Sequence, residues 1–380
     1  MKKFFLVFLL VLTFLLASCG GGSDEEENAV PYPTIPLPTP VVTISPTARV
    51  EETIEEEEEE EIWPPEGHVL SHLTGLPILE EMSNRRPFII VFNNEPRALP
   101  QSGISTADIV YEVLAEGNIT RLIAVFHNLD ETLEKLGPMR STRHYFATIA
   151  LEHDGIFVHH GGSVLGYTQI TNLRMNAIDG MRYDGSTFWR DAERRRSRGL
   201  EHSSYTSFEN LRARSETLNF REYLDYLPIR FNFFEELSPI SENYADIANV
   251  RLTNNNITRF EFNPDTKLYY KSIFGNPHMD AENDRQVAVR NVIVQITDIT
   301  LIPGDTEGRR NVRLTGTGEG YLVSMGTYMP ITWERVNEQS PTLFFNEAGE
   351  LLTLNAGQTW ITITSLRPTF ETFLEEEEDE

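Results

Sequence analysis

Pro87-Phe-Ile-Ile-Val-Phe92, Ala107-Asp-Ile-Val-Tyr-Glu-Val-Leu-Ala115 and Arg121-Leu-Ile-Ala-Val-Phe-His127 are the segments on which the fold turns. The first is an unbroken apolar run after a proline, and such a run suits a strand buried on both faces. The second alternates through Ile109, Tyr111 and Val113, and the third carries Leu122, Ile123, Val125 and Phe126, so both read as strands. Thr142 to Glu152 then places Tyr145, Phe146 and Ile149 at helical spacing, and Gly155-Ile-Phe-Val-His159 is a fourth strand running into Gly161-Gly162. Strands mixed with helices predict an α/β or α+β domain over 63–227.

From 228 to 374 the texture changes. Alternating segments such as Ile257–Phe262, Val287–Thr297, Tyr321–Ser324, Ile331–Arg335 and Thr359–Ile363 are separated by Asn, Gly, Pro and Asp turns. That cadence predicts a mostly antiparallel β domain. Gly316, Gly318, Gly320 and Gly326 read as turns and bulges, since no helical pattern follows them.

The amino terminus reads as an export and anchoring device. Met1-Lys-Lys3 precedes an apolar run from Phe4 to Leu16, too short to span a bilayer, and Leu16-Ala-Ser-Cys19 ends it. This resembles the bacterial lipobox, which implies removal of residues 1–18 and lipidation of Cys19, with the chain held on the extracytoplasmic face of the cell membrane. Cys19 is the sole cysteine, so the mature chain has no intrachain disulfide and no free thiolate for catalysis or metal binding. Residues 19–62 are Gly/Ser-, Pro- and then Glu-rich, the composition of an extended tether. The tail 375–380 is acidic throughout. The formal charge of −26 sits largely in these segments: 39 acids face 29 bases between Ile62 and Leu374. There is no basic footprint for nucleic acid.

Leu73-Thr-Gly-Leu-Pro77, Pro100-Gln-Ser-Gly103, Ala107-Asp-Ile-Val-Tyr-Glu112, Ile119-Thr-Arg121, Gly137-Pro138, Val158-His159 with Gly161-Gly-Ser163, and Phe188-Trp-Arg-Asp191 occur in order. They are followed by Pro277-His278 with Asp280, Asn291-Val-Ile-Val-Gln295, and Gly357 with Thr359-Trp-Ile361. This succession resembles the YerB-type lipoproteins, defined by a DUF3048 domain followed by its own C-terminal companion domain. The resemblance implies a two-domain envelope lipoprotein and brings no biochemistry. One departure is visible: Glu201-His202 stands where the family pattern has Pro-His.

The candidate ligand-binding residues are Arg121, Arg140, Arg143, His159, Arg190 and His202. Most fall at strand ends or in the loops after them, where α/β folds place ligand groups, and Arg140 and Arg143 precede a predicted helix, which suits phosphate or carboxylate. The competing reading of each arginine is a structural pair with Glu112, Glu116 or Asp108. His159-His160-Gly-Gly reads more readily as a hydrogen-bonded turn than as a reactive site. His278-x-Asp280 lacks companions for a metal site, and Ser163 lacks the strand–Ser–helix context of a nucleophile elbow. Trp189, Trp333 and Trp360 read as sugar-stacking surfaces or as core. No cofactor, metal or catalytic residue is expected.

The function expected is a non-catalytic module binding a cell-wall glycan, a phosphate-bearing polymer or another envelope protein. The alternative is an envelope glycopolymer phosphotransferase or hydrolase. The order of elements is similar to that of the LytR-CpsA-Psr phosphotransferases, which implies Arg140 and Arg143 on a pyrophosphate and Asp108 helping to hold Mg²⁺.

Overall fold

In the computed structural model, which describes residues 63–129, 132–253, 256–365 and 370–373, the apolar runs become the centre of one large sheet. The signal segment 1–18, Cys19, the tether 19–62 and the tail 375–380 lie outside the described residues.

The first half supplies strands β1 (Phe88–Asn93), β2 (Ile109–Glu116), β3 (Ile119–Phe126), β4 (Ile156–His159) and β5 (Ala177–Asp179). It also supplies helices α1 (His144–Leu151), α2 (Val164–Asn172), α3 (Ala192–Arg198) and α4 (Phe208–Thr217). Strands β6 (Ile247–Thr253), β7 (Asn256–Asn263), β8 (Leu268–Ile273), β9 (Asn291–Ile296), β10 (Gly316–Ser324), β11 (Thr327–Arg335), β12 (Leu343–Phe345), β13 (Thr359–Thr364) and β14 (Phe370–Phe373) come from the second. A mixed first portion is thus followed by a mostly antiparallel one, as the hydropathy patterns predict.

The two portions share a ten-stranded sheet in the order β12-β11-β10-β9-β13-β2-β3-β1-β4-β5. Strand β13 lies between the halves and runs parallel to both neighbours, with Trp360 opposite Val292 on one side and Val110 on the other. Because every strand near the middle is covered on both faces, its residues are apolar in both alternating sets. Ile90, Phe92, Val110, Ala124 and Trp360 face a layer made of α4 (Phe208, Leu211) and a second sheet carrying Val250, Phe260 and Tyr269. Ile89, Val91, Tyr111, Ile123 and Ile361 face α1 through Tyr145, Phe146 and Ile149. Burying each such side chain contributes roughly 1.5–3 kcal/mol, which explains how a chain without disulfides holds three layers together.

Two buried polar networks also join the halves. Asp280 accepts from the backbone N–H of Gly103 (2.9 Å) and Ser105 (2.8 Å) and from Ser105 Oγ (2.7 Å). His278 Nε2 meets Gln101 Oε1 at 2.7 Å, and Lys271 Nζ lies 3.6 Å from Glu112, both fully buried. On the opposite face, Glu152 at the end of α1 lies 3.5 Å from both Arg230 and Arg335 and accepts from Thr342. His278 and Asp280 are therefore docking residues. Trp333 and Trp360 are likewise core, with their indole N–H groups spent on Ile296 O and Glu112.

Candidate ligand-binding site

Strands β1, β2, β4 and β5 all run in one direction, so Asn93, Glu116, His159 and Asp179 lie along one edge of the sheet. Arg121, near the start of the antiparallel β3, reaches the same edge, which in α/β sheets is where ligands bind. The loop before α1 is sewn across it: Arg140 N donates to Val91 O, His160 N to Arg140 O, and Thr142 N to Gly161 O.

Three predicted arginines meet there around two glutamates. Glu116 takes Arg121 Nη2 on Oε1 at 2.8 Å and Arg143 Nη2 on Oε2 at 2.6 Å. Glu95 Oε1 lies 3.5 Å from Arg121 and 3.7 Å from Arg140, while Arg140 Nη2 also bonds the exposed Glu201 at 2.5 Å. Burial pushes the Glu116 carboxyl up, but the charges of Arg121, Arg143 and Arg140 outweigh it and hold the group below the usual range. Burial lowers Arg121 to about 10 against the pull of Glu116, so it stays charged at neutral pH. The Nε atoms of Arg121, Arg140 and Arg143 are all buried without a hydrogen-bond partner. His202 joins through Asn93, whose Nδ2 reaches its Nδ1 at 2.9 Å. An amide nitrogen only donates, so His202 accepts on Nδ1 and carries its proton on Nε2.

The other two predicted residues belong to a neighbouring cluster. His159 Nδ1 meets Gly161 O at 2.8 Å and lies 3.7 Å from Asp179. Asp179 holds the glycine turn by accepting from Gly161 N (2.8 Å), and takes Tyr167 Oη as well (2.8 Å). Gly161 has a φ of 78°, which favours glycine, and this is the hydrogen-bonded turn that His-His-Gly-Gly suggests. Arg190 donates to Leu200 O (2.9 Å), to Asp184 and to His160 Nε2. With an arginine on Nε2, the His160 proton sits on Nδ1 and points at Ser204 Oγ, 2.7 Å away. Burial and then Arg190 depress its pKa to about 4. His160 therefore donates to Ser204 and cannot take its proton, so the pair is no nucleophile and base. Ser163 caps α2 by accepting from Gly166 N.

The turn at Leu200–His202 links the clusters, touching Arg190, Arg140 and Asn93 in succession. The competing ion-pair reading is right about Glu116. It misplaces Glu112, which pairs with Lys271 beneath the edge, and Asp108. Asp108 precedes β2 at the opposite end of the strand from Glu116 and accepts from His127 N (2.6 Å) and Asn128 N (3.1 Å). Holding Mg²⁺ beside Arg140 and Arg143 is thus excluded for Asp108. Among the described residues no three His, Cys, Asp or Glu side chains could share a metal. Sequence reasoning missed Glu95 and Asp179, and noted Glu201 only as a departure from the family's Pro-His pair. Asp179 left a trace, as Ala-Ile-Asp-Gly180 repeats the strand-then-glycine texture of the β4 end.

Comparison with known proteins agrees with this architecture. Residues 73–221 match the N-terminal domain, and 248–361 the C-terminal domain, of a protein of unknown function (DUF3048). The chain is 36% identical over 296 residues to "Putative lipoprotein YerB" of Bacillus subtilis (strain 168), covering 77% of this chain and 85% of that one. The crystal structure of Bacillus subtilis YerB superposes with a TM-score of 0.71 at 32% identity, covering 80% of this chain and all of that one. With both domain models matched in order and most of a relative's length aligned, the chain belongs to the DUF3048 family of YerB-like proteins.

Proposed function

We propose that this chain is a non-catalytic binding module, anchored by lipid on Cys19 at the extracytoplasmic face of the cell membrane. Its ligand is a phosphate- or carboxylate-bearing envelope polymer, taken at the Asn93–Glu116–His159 edge of the large sheet. The observation that carries the reading is the convergence of Arg121, Arg140 and Arg143 on two partly buried carboxylates, Glu116 and Glu95, with the exposed Glu201 as the third counterion. Arg140, 20% exposed, is the member a ligand meets first, and the exposed Glu201 is the partner an incoming anion displaces. His159 is held by Gly161 O, His160 by Ser204 and Arg190, and His202 by Asn93, while Ser163 caps α2, which supports recognition over turnover.

Two measurements test this. The full chain in detergent is titrated with long-chain inorganic polyphosphate and with polyglutamate at 50 and 300 mM salt. Binding should weaken with salt, and Arg140→Ala should lower affinity about tenfold, the worth of one charge-assisted bond. Equal affinity of wild type and variant would overturn the edge as the site. Separately, Cys19→Ser should release the protein from membranes; retention would overturn the anchor.

A further inference from the structure

The end of the large sheet away from the arginine edge carries an apolar surface that the fold leaves uncovered. Tyr223, Tyr226, Leu227 and Ile229, four large apolar residues within seven positions, are 42–62% exposed, and Leu79 is exposed to a similar degree. Their segments are joined: Arg86 N donates to Glu222 O and Leu224 N to Asn84 O, each at 2.8 Å, and Arg85 lies over the Tyr223 ring at 5.9 Å. Arg86 also donates to Asp154 O and Gly155 O, just ahead of β4, which fixes this face at the starting end of β1 and β4. Its rim is acidic. Glu80, Glu81, Glu222 and Asp225 are all exposed. Arg85 and Arg221 offset the last two, while Glu80 and Glu81 make no ion pair among the described residues. Single apolar side chains on a surface need no explanation, but a cluster built around tyrosines marks a contact site.

The other end of the same strands supplies the complement. Helix α3 carries Arg194, Arg195, Arg196 and Arg198 within its seven residues, although the folded region as a whole is acidic. Arg194 Nη1 donates to Ala98 O at 2.9 Å and Arg198 Nη1 to Arg97 O at 3.2 Å, which clamps α3 on the loop after β1. Arg195 and Arg196 are left exposed, close to the exposed Leu200, and make no ion pair among the described residues. We infer that the two ends bind each other between copies of this chain. The tyrosine face of one molecule docks on α3 of the next, and Glu80 and Glu81 supply the anions for Arg195 and Arg196. An anionic lipid surface would repel the acidic rim, whereas α3 attracts it. The contact joins unlike faces at opposite ends of the molecule, so it builds rows or rings and not two-fold pairs. The inference uses neither the lipid anchor nor the anion reading of the arginine edge, and stands if either fails.

The test is sedimentation velocity of the full chain in detergent, with micelles in excess over protein. Wild type should associate as its concentration rises, and added salt should weaken the association. The variants R195E/R196E and E80K/E81K alter only exposed side chains, so folding is retained. Each alone sets like charges face to face and should raise the dissociation constant by about tenfold or more. An equimolar mixture of the two, whose altered faces match, should associate as wild type does. Tyr226→Ala changes no charge and should weaken association about tenfold. Wild type that stays monomeric up to its solubility limit overturns the proposal. So does a mixture of the reversed variants that associates no better than either alone, or a Y226A variant of wild-type affinity.

Discussion

Replacing Glu152 by glutamine tests whether the two halves are held together by charge as well as by the shared sheet. Glu152 ends α1, and its side chain is 1% exposed. Oε1 accepts from Tyr111 Oη at 2.9 Å, and Oε2 from the backbone and hydroxyl of Thr342 at 2.8 Å each. Arg230 and Arg335 stand 3.5 Å away on either side. Burial pushes this carboxyl up, but the two guanidiniums outweigh it and hold it at about 2, against an ordinary 4.5. At about 1.4 kcal/mol for each tenfold change in proton affinity, that displacement is worth roughly 3 kcal/mol of folding stability. The independent estimate for leaving buried guanidiniums without their carboxylate is about 3–5 kcal/mol. The folded pKa is depressed, so the stabilisation is complete above pH 4.5 and is lost as pH falls toward 2. Chemical denaturation of wild type and E152Q at pH 7 should differ by about 3–5 kcal/mol, and at pH 3 that gap should narrow by roughly 2 kcal/mol. A gap under about 1 kcal/mol at pH 7, or one that is equal at both pH values, would refute the account of the network.

Lys271→Met leaves Glu112 buried without its cation and should destabilise by about 3–5 kcal/mol, whereas adding Glu112→Gln should recover most of the loss, read as denaturation midpoints. Gly180→Ala places a Cβ 2.1 Å from His160 Nδ1, on a ring pinned by Ser204 and Arg190. It should lower stability by about 1–3 kcal/mol, seen as a reduced Tm. Asp280→Ala orphans the buried N–H of Gly103 and the partly buried N–H of Ser105. Each should contribute about 1–3 kcal/mol of loss, with faster hydrogen exchange confined to 101–105 as the local signature.

Local pattern carried much of the architecture because periodicity is a property of neighbouring residues. Phe88–Phe92 and Leu122–Phe126 read as strands from their apolar runs and Ile109–Ala115 from its alternation, and both faces of each are covered. Tyr145, Phe146 and Ile149 read as a helix because their spacing puts them on one side of it, and that side packs on the sheet. Strand partnership is different. Thr359–Thr364 looks like one more strand of the second half, and nothing in its sequence says that it pairs with Ile109–Val113 as well as with Asn291–Ile296.

The arginine edge divides the same way. Residue type and position at strand ends picked out Arg121, Arg140, Arg143 and His202, since charged groups beside apolar runs mark where strands leave the core. Their counterions, Glu95 and Glu201, sit 26 and 80 positions from Arg121, and neither the proline beside the one nor the Glu-His pair of the other says which arginine it meets. The sequence by itself determined the strand and helix content, the family, and the expectation of a lipid anchor on a sole cysteine. Only the tertiary structure decided that His278 and Asp280 dock one half on the other, that Asp108 lies away from the arginines, and that His160 donates to Ser204. Those outcomes depend on distances between residues far apart in the chain, and local pattern carries no record of distance.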